Sequence, residues 1–562
     1  MRSIFHLHDD PDPGPAATPA PSPPSASPAP SPPSAPSPAS APAPTPGQDG
    51  GGRLPLVYVR GFAGGTKGID KQVDDPFYGF NDGSTHVRVG GDGAPQYYQF
   101  ESPLLRLFAQ DGYRPLVSGD PKAYLQSRPA GSVPPDTVWI HRFYDDSADT
   151  FGKDAVDFRI EKAAEDLYDL VELVLSRTGA PKVLLVAHSM GGLICRCMIQ
   201  KISYLPRDGA PRTPGKELVD KLFTYGTPHG GITFAVGGGL FDWVMETFGP
   251  VGSDIFSPEL MYGYLRRDAV WGDTPPQGDG QDDWRPNVIP ADEFPTDRIF
   301  CVVGTDPADY GISRTVVGHA SDGLVAIENA AVAGAHRAYV HRSHSGRYGL
   351  VNSEEGYQNL RRFLFGTQRV AVGLAGLELP AADGPTTVVW QAELQLSVRG
   401  LPIVMHEQLA AHCCPIQLAA AQDRQAARPD GVVPLTTVFL LDPSMFATDP
   451  LGPPPDRCRY ALHLRVVRLE ERHGLLFWQD HLAQAADWDD VLVVDVGPRD
   501  GAAGGPQQLW TVWNSRLPGA IADHVATEAD ALGADGAVAL PDTARRILGA
   551  RARLVLEVGP WA

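Results

Sequence analysis

Three things are scarce in this sequence, and each scarcity excludes something. Cysteine is the first, with six in 562 residues, at 195, 197, 301, 413, 414 and 458. None stands in a C-x-x-C pair, so a thiolate zinc site is not expected, and the spacing is not that of a disulfide scaffold. The adjacent Cys413 and Cys414 are poorly placed to bridge each other, and six reduced, mostly buried thiols are expected. Basic charge is the second. Lys and Arg number 47 against 67 Asp and Glu, a net charge of −20. Nucleic acid and anionic membrane both require a basic face, so neither is expected as the main partner. The third is any long apolar run. None comes near the roughly 18 residues of a membrane span. The opening "MRSIFHLHDDPDPGP" has too short an apolar core for a secretory leader, which makes the cytoplasm the default location.

Proline, alanine and serine are abundant at the start. Residues 1–50 hold 16 of the 54 prolines. Such a segment buries too little apolar surface to offset its ordering entropy, so residues 1–53 are expected to form a disordered, polyproline-like tail. The remainder has ordinary proportions, 43% hydrophobic and 20% charged, and is too long for one core.

Two regions follow. Over 54–366, buried strand patterns alternate with helical ones: "PLVYV" (55–59), "DTVWI" (136–140), "KVLLVA" (182–187), "KLFTYG" (221–226) and "RIFCVVG" (298–304) are strands. "SPLLRLFAQDG" (102–112) is a helix, with Ser102 as N-cap and Gly112 past its end. The longer helix "FRIEKAAEDLYDLVELVLSRTGA" turns Ile160, Ala163, Leu167, Leu170, Val171 and Val174 to one face. This alternation predicts a doubly wound, mostly parallel α/β sheet covered by helices. Over 367–562 the period becomes two, as in "WQAELQLSVR" (390–399) and "RCRYALHLRV" (457–466). That predicts a β-rich, sandwich-like domain whose partner and role the residues do not reveal.

The chemistry concentrates in "VAHSMGG" (186–192). A buried strand ends at Ala187 and a helical pattern resumes after Gly191. Small residues two before and two after Ser189 match the G-x-S-x-G elbow, with Ala187 in the first glycine slot. Such a turn strains the serine backbone and lifts its hydroxyl to a helix N-terminus. A serine needs a base, and the base a third group to orient it. Downstream are "ASDGLVAIENA" (320–330), which carries Asp322, and "YVHRSHSGRYG" (339–349), which carries His344. His341 and Asp306 are rivals for base and acid, and Asp309 is a weaker one. His188 and His229 suit hydrogen-bonding or packing roles, and Cys195 and Cys197 a buried structural one.

Taken together, the region resembles the α/β-hydrolase superfamily, and more closely the bacterial triacylglycerol lipases and esterases. The resemblance rests on "VYVRGFAGG" (57–65), "VAHSMGG", "FTYGTPHGG" (223–231), "SDGLV" (321–325) and "HSG" (344–346), in that order. It implies Ser189 as nucleophile, His344 as general base and Asp322 as its orienting acid. It also implies an oxyanion hole made by the main-chain N–H groups of Phe62 and Met190. Arg60 stands where such proteins usually carry histidine. The implied activity is hydrolysis of carboxylic esters, of lipid or acyl type, with no metal or organic cofactor. An acyltransferase using the same triad, or a non-catalytic binding or scaffolding protein on this fold, remain alternatives.

About 65 residues separate "GTPHGG" from Arg298, far more than a usual connection. Within this insertion (about 232–296), "GLFDWVMETFG" (239–249) would form a lid helix. Phe241, Trp243 and Val244 are its candidate substrate contacts. The insertion near "DPFYGFNDGSTH" could line an acyl pocket. "GDGQDDW" (278–284) lacks calcium-loop spacing, so no metal is expected there.

Overall fold

The computed structural model describes residues 53–61, 88–89, 95–96, 102–115, 121–141, 143, 159–232, 254–275, 284–307, 320–344, 349–380, 387–442, 457–471, 486–499, 507–517, 529–533 and 535–561. The expected tail, Phe62, the aromatic insertion before residue 100, the candidate lid helix with Phe241, Trp243 and Val244, Asp309 and nearly all of the acidic loop lie outside them. Among the described residues no helix is long and apolar enough to cross a membrane.

Seven strands form one parallel sheet: β1 (Leu56–Val59), β2 (Arg114–Pro115), β3 (Thr137–His141), β4 (Val183–His188), β5 (Val219–Tyr225), β6 (Ile299–Gly304) and β7 (His336–Val340). Their spatial order is β2-β3-β1-β4-β5-β6-β7, and every neighbouring pair is parallel. β1, β4 and β6 are buried along their whole length, which is why their sequences are apolar without alternation. The chain runs outward from β1 to one edge, returns beside β1 at β4, and then runs to the other edge. Strand order therefore reverses between β1 and β4, where doubly wound sheets open a crevice at their carboxyl ends. This is α/β-hydrolase architecture.

Helices cover both faces. α1 (Ser102–Asp111) takes in Ser102, expected as its cap, and ends before Gly112 at φ 66°. α2 (Ile160–Thr178) buries all six residues expected on its apolar face and stops at Gly179, whose left-handed backbone returns its N–H to the Leu175 carbonyl. α3 (Met190–Gln200) follows β4 and is buried throughout, so it has no polar face. α4 (Glu354–Phe365) is capped by the Ser353 hydroxyl, which accepts from the Gly356 N–H.

After α4 every labelled strand is antiparallel. β8 (Gln368–Ala375) pairs with Val432–Leu440 on one side and Arg553–Pro560 on the other, and Ala537–Ala539 completes a four-stranded sheet. A second sheet is built on β9 (Thr387–Val398), flanked by β10 (Val404–Gln408) and β11 (Cys458–Glu471). The alternating residues Leu394, Leu396, Leu462 and Leu464 of this sheet share one core with Val370, Val372, Leu554 and Leu556 of the first. That face-to-face core makes a sandwich. The polar side of β9 is not open to water, however. Gln391 and Glu393 are buried, and Glu393 is held by Arg465 across the sheet and by the Ala410 N–H.

The sandwich also completes a core of the parallel sheet. Phe439 and Trp561 pack with Phe223, Phe300 and Phe363. Trp561 lies 4.9 Å from Phe439 and 5.5 Å from Phe363, and its indole N–H donates to the Phe363 carbonyl at 2.7 Å. Lys221 and Arg298 stand 5.2 and 5.1 Å from its ring. Truncating so large a buried ring leaves a cavity and an unpaired carbonyl. Trp561→Ala is therefore expected to lower unfolding free energy by about 3–5 kcal/mol, read from urea titration.

Burial holds His141, His336 and His406 down, from an ordinary 6.5 to about 4. In the unfolded chain each takes its proton near 6.5, so below that pH the unfolded state binds more protons than the folded one. Stability therefore falls as pH drops from about 6.5 to 4, by on the order of 3 kcal/mol per histidine. His406→Phe should flatten this dependence in urea midpoints collected across that window.

Candidate active site

The crevice between β1 and β4 is built around one strained residue. Ser189 has φ 51° and ψ −128°, a backbone that side-chain-bearing residues rarely adopt. Its N–H donates to the Tyr225 carbonyl of β5 at 2.9 Å, so the turn is tied to the sheet. Its own carbonyl accepts from the Gly192 N–H at 3.0 Å and from the Thr227 hydroxyl at 2.8 Å. Two glycines permit the close approach. A Cβ on Gly191 would lie 2.2 Å from the Val59 carbonyl oxygen, and one on Gly192 would lie 2.2 Å from Thr227 Oγ1. The "GTPH" segment thus has a structural purpose: Thr227 backs the elbow, and His229 bonds the Thr224 hydroxyl beneath it at 3.1 Å. Thr227 was not singled out from sequence, although a small polar residue directly after a buried strand was the available signal.

Ser189 Oγ is 2.9 Å from His344 Nε2, and His344 Nδ1 is 2.8 Å from Asp322 Oδ2. A carboxylate only accepts, so Nδ1 carries the proton and Nε2 is left to accept from the serine hydroxyl. The other carboxylate oxygen, Oδ1, accepts the N–H groups of Leu324 at 3.0 Å and Val325 at 2.7 Å. Asp322 is wholly buried, His344 is 3% exposed and Ser189 9%. Gly226, at φ 51°, borders the pair: a Cβ there would meet His344 Nδ1 at 3.0 Å and Asp322 Oδ2 at 3.1 Å. Met190 begins α3, where an N–H has no acceptor within its own helix.

The other sequence candidates occupy different places. His341 is exposed, with its ring stacked on His412 at 3.8 Å and its Nδ1 3.3 Å from the Thr305 hydroxyl. Asp306 lies at the end of β6, and its N–H donates to the Arg342 carbonyl. Burial pushes the thiols of Cys195 and Cys197 up, which keeps them protonated and unreactive. Arg60, which directly follows β1, is buried. Among the described residues no three His, Cys, Asp or Glu side chains converge as a metal-binding set.

No protein-family model matches the chain, and no curated protein matches it. Similar solved structures include a gene product of Listeria innocua. It is 13% identical, with 56% of this chain aligned to 94% of that one at a TM-score of 0.24. The mature form of the Bacillus licheniformis lipase BlEst2 is 14% identical, with coverages of 56% and 92% and a TM-score of 0.27.

The tight contact at Gly191 is with main chain, which has little freedom to retreat. Gly191→Ala is therefore expected to cost about 1–3 kcal/mol of stability, seen as a lowered denaturant midpoint at unchanged slope.

Proposed function

We propose that this chain is a serine hydrolase of carboxylic esters, of lipid or acyl type. The observation that supports this reading is the unbroken hydrogen-bonded line from Ser189 Oγ through His344 to Asp322, anchored on a strained serine at the sheet's crevice. In this mechanism Ser189 Oγ attacks the ester carbonyl carbon while His344 Nε2 takes the hydroxyl proton. The carbonyl π electrons move to oxygen, and the Met190 N–H stabilises that oxyanion. The second donor proposed for the hole is the Phe62 N–H. The oxyanion collapses, the C–O bond to the alcohol breaks, and the imidazolium returns its proton to the departing alkoxide. An acyl-serine remains. Water, deprotonated by the same imidazole, attacks it, and the carboxylic acid leaves as Ser189 regains its proton. Asp322 remains ionised throughout and stabilises the transient imidazolium.

Ser189→Ala should abolish both p-nitrophenyl ester turnover and fluorophosphonate labelling while the circular-dichroism spectrum is retained. Labelling of the alanine variant would overturn the assignment. Asp322→Asn should lower kcat by about 10⁴, because the amide favours the wrong imidazole tautomer. The pH profile offers a separate check. Burial holds His188 and His229 well below the ordinary imidazole range. Only His344 should then titrate among the site histidines, and log kcat/KM should fall on the acid side with a slope of one. A slope of two would count against this mechanism.

A further inference from the structure

His188 closes β4 one residue before the serine, and the mechanism above gives it no task. It is almost completely buried, at 4% exposed. A buried imidazole at the end of an apolar strand is costly unless its nitrogens are satisfied. Its Nε2 lies 3.1 Å from the main-chain oxygen of His344. A carbonyl only accepts, so Nε2 carries the proton and the ring is a neutral donor. The two imidazole rings are 5.0 Å apart. On its other side the ring meets the loop that follows β1, where a Cβ on Gly61 would fall 2.9 Å from His188 Nδ1. His188 is therefore wedged between three chain segments that converge at the crevice: the end of β1, the serine turn and the loop after β7.

The hold on His344 is complete from both ends of its backbone. Its N–H donates to the Asp322 carbonyl at 2.9 Å, and its ring is held by the Asp322 carboxylate. Its carbonyl is held by His188. We propose that His188 is a positioning residue for the general base: the Nε2–H bond to the His344 carbonyl holds the base imidazole within reach of Ser189 Oγ. This rests on the ester-hydrolase reading given above. Neutrality is part of the role. His344 becomes an imidazolium during each turnover, and a second positive ring at this distance would oppose it. Burial keeps His188 uncharged, with His344 and Arg60 acting in the same direction.

A ring that merely fills space and a ring that donates make different predictions. His188→Phe keeps an aromatic ring and removes the donor, whereas His188→Gln carries an amide N–H to about the position of Nε2. Using p-nitrophenyl butyrate and a fluorophosphonate probe on the full chain, His188→Phe is expected to lower kcat and the labelling rate by about 10- to 100-fold, with KM within about twofold. His188→Gln is expected to recover both rates to within about threefold of the parent, because the hydrogen bond is remade. Thermal midpoints establish that the variants are folded. If His188→Phe does not fold, His188→Met, which also lacks a donor, replaces it in the same comparison against Gln. Parental rates in a folded donor-less variant, or equal losses in the donor-less and Gln variants, would overturn the positioning role and leave the triad standing. Turnover or labelling surviving in Ser189→Ala would instead strike at the hydrolase reading itself.

Discussion

The site depends on how closely the end of β1 and the start of α3 approach each other. No side chain fits between the Val59 carbonyl and the main chain at 191, and none fits between Thr227 and the main chain at 192. That closeness forces Ser189 into its left-handed backbone. A conformation of this kind costs on the order of 1–3 kcal/mol and persists only where its surroundings over-determine it. Here they do. The serine N–H is tied to β5, and its carbonyl is tied both to the helix it precedes and to Thr227. With the backbone so constrained, the hydroxyl has one direction in which to point, toward the imidazole of His344.

The acid and the base obey a similar logic with different means. Asp322 sits in a short turn whose own N–H groups, from Leu324 and Val325, occupy one carboxylate oxygen and leave the other for His344. Gly226 and Gly304 leave room beside the pair, since a Cβ on Gly304 would come within 2.6 Å of Asp322 Cβ. Small residues at the carboxyl ends of β4, β5 and β6 thus do for the site what apolar residues do for the strands behind it.

Much of this could be read from residue order, for identifiable reasons. β1, β4 and β6 are buried on both faces, so they are written as unbroken apolar runs flanked by turn residues. α2 has one wet face, so its period of 3.6 is visible. The serine turn could be found because its small residues are local, within two positions of Ser189. What depends on distant residues was less legible. β8 is short and mixed in character because its neighbours come from residues 432–440 and 553–560. The buried polar face of β9 could not be inferred, because Arg465 and Ala410 reach Glu393 only after folding. Thr227 lies 38 positions from the serine it supports. His344 and His341 are equally histidine in sequence, and they differ only in what the end of β7 turns them toward.

One consequence concerns the order of events during synthesis. Leu56 opens the parallel sheet, and Trp561 lies in the same apolar cluster. A ribosome therefore releases β1 more than five hundred positions before the indole that closes its cluster exists. In the interval Phe300 and Phe363 lack their last partner, and a nascent chain exposing such aromatics is prone to aggregate. Contacts this remote in sequence also delay productive collapse. Assembly of the crevice and assembly of the sandwich are in this sense a single kinetic problem, and chaperone dependence would be set by the aromatic seam joining them.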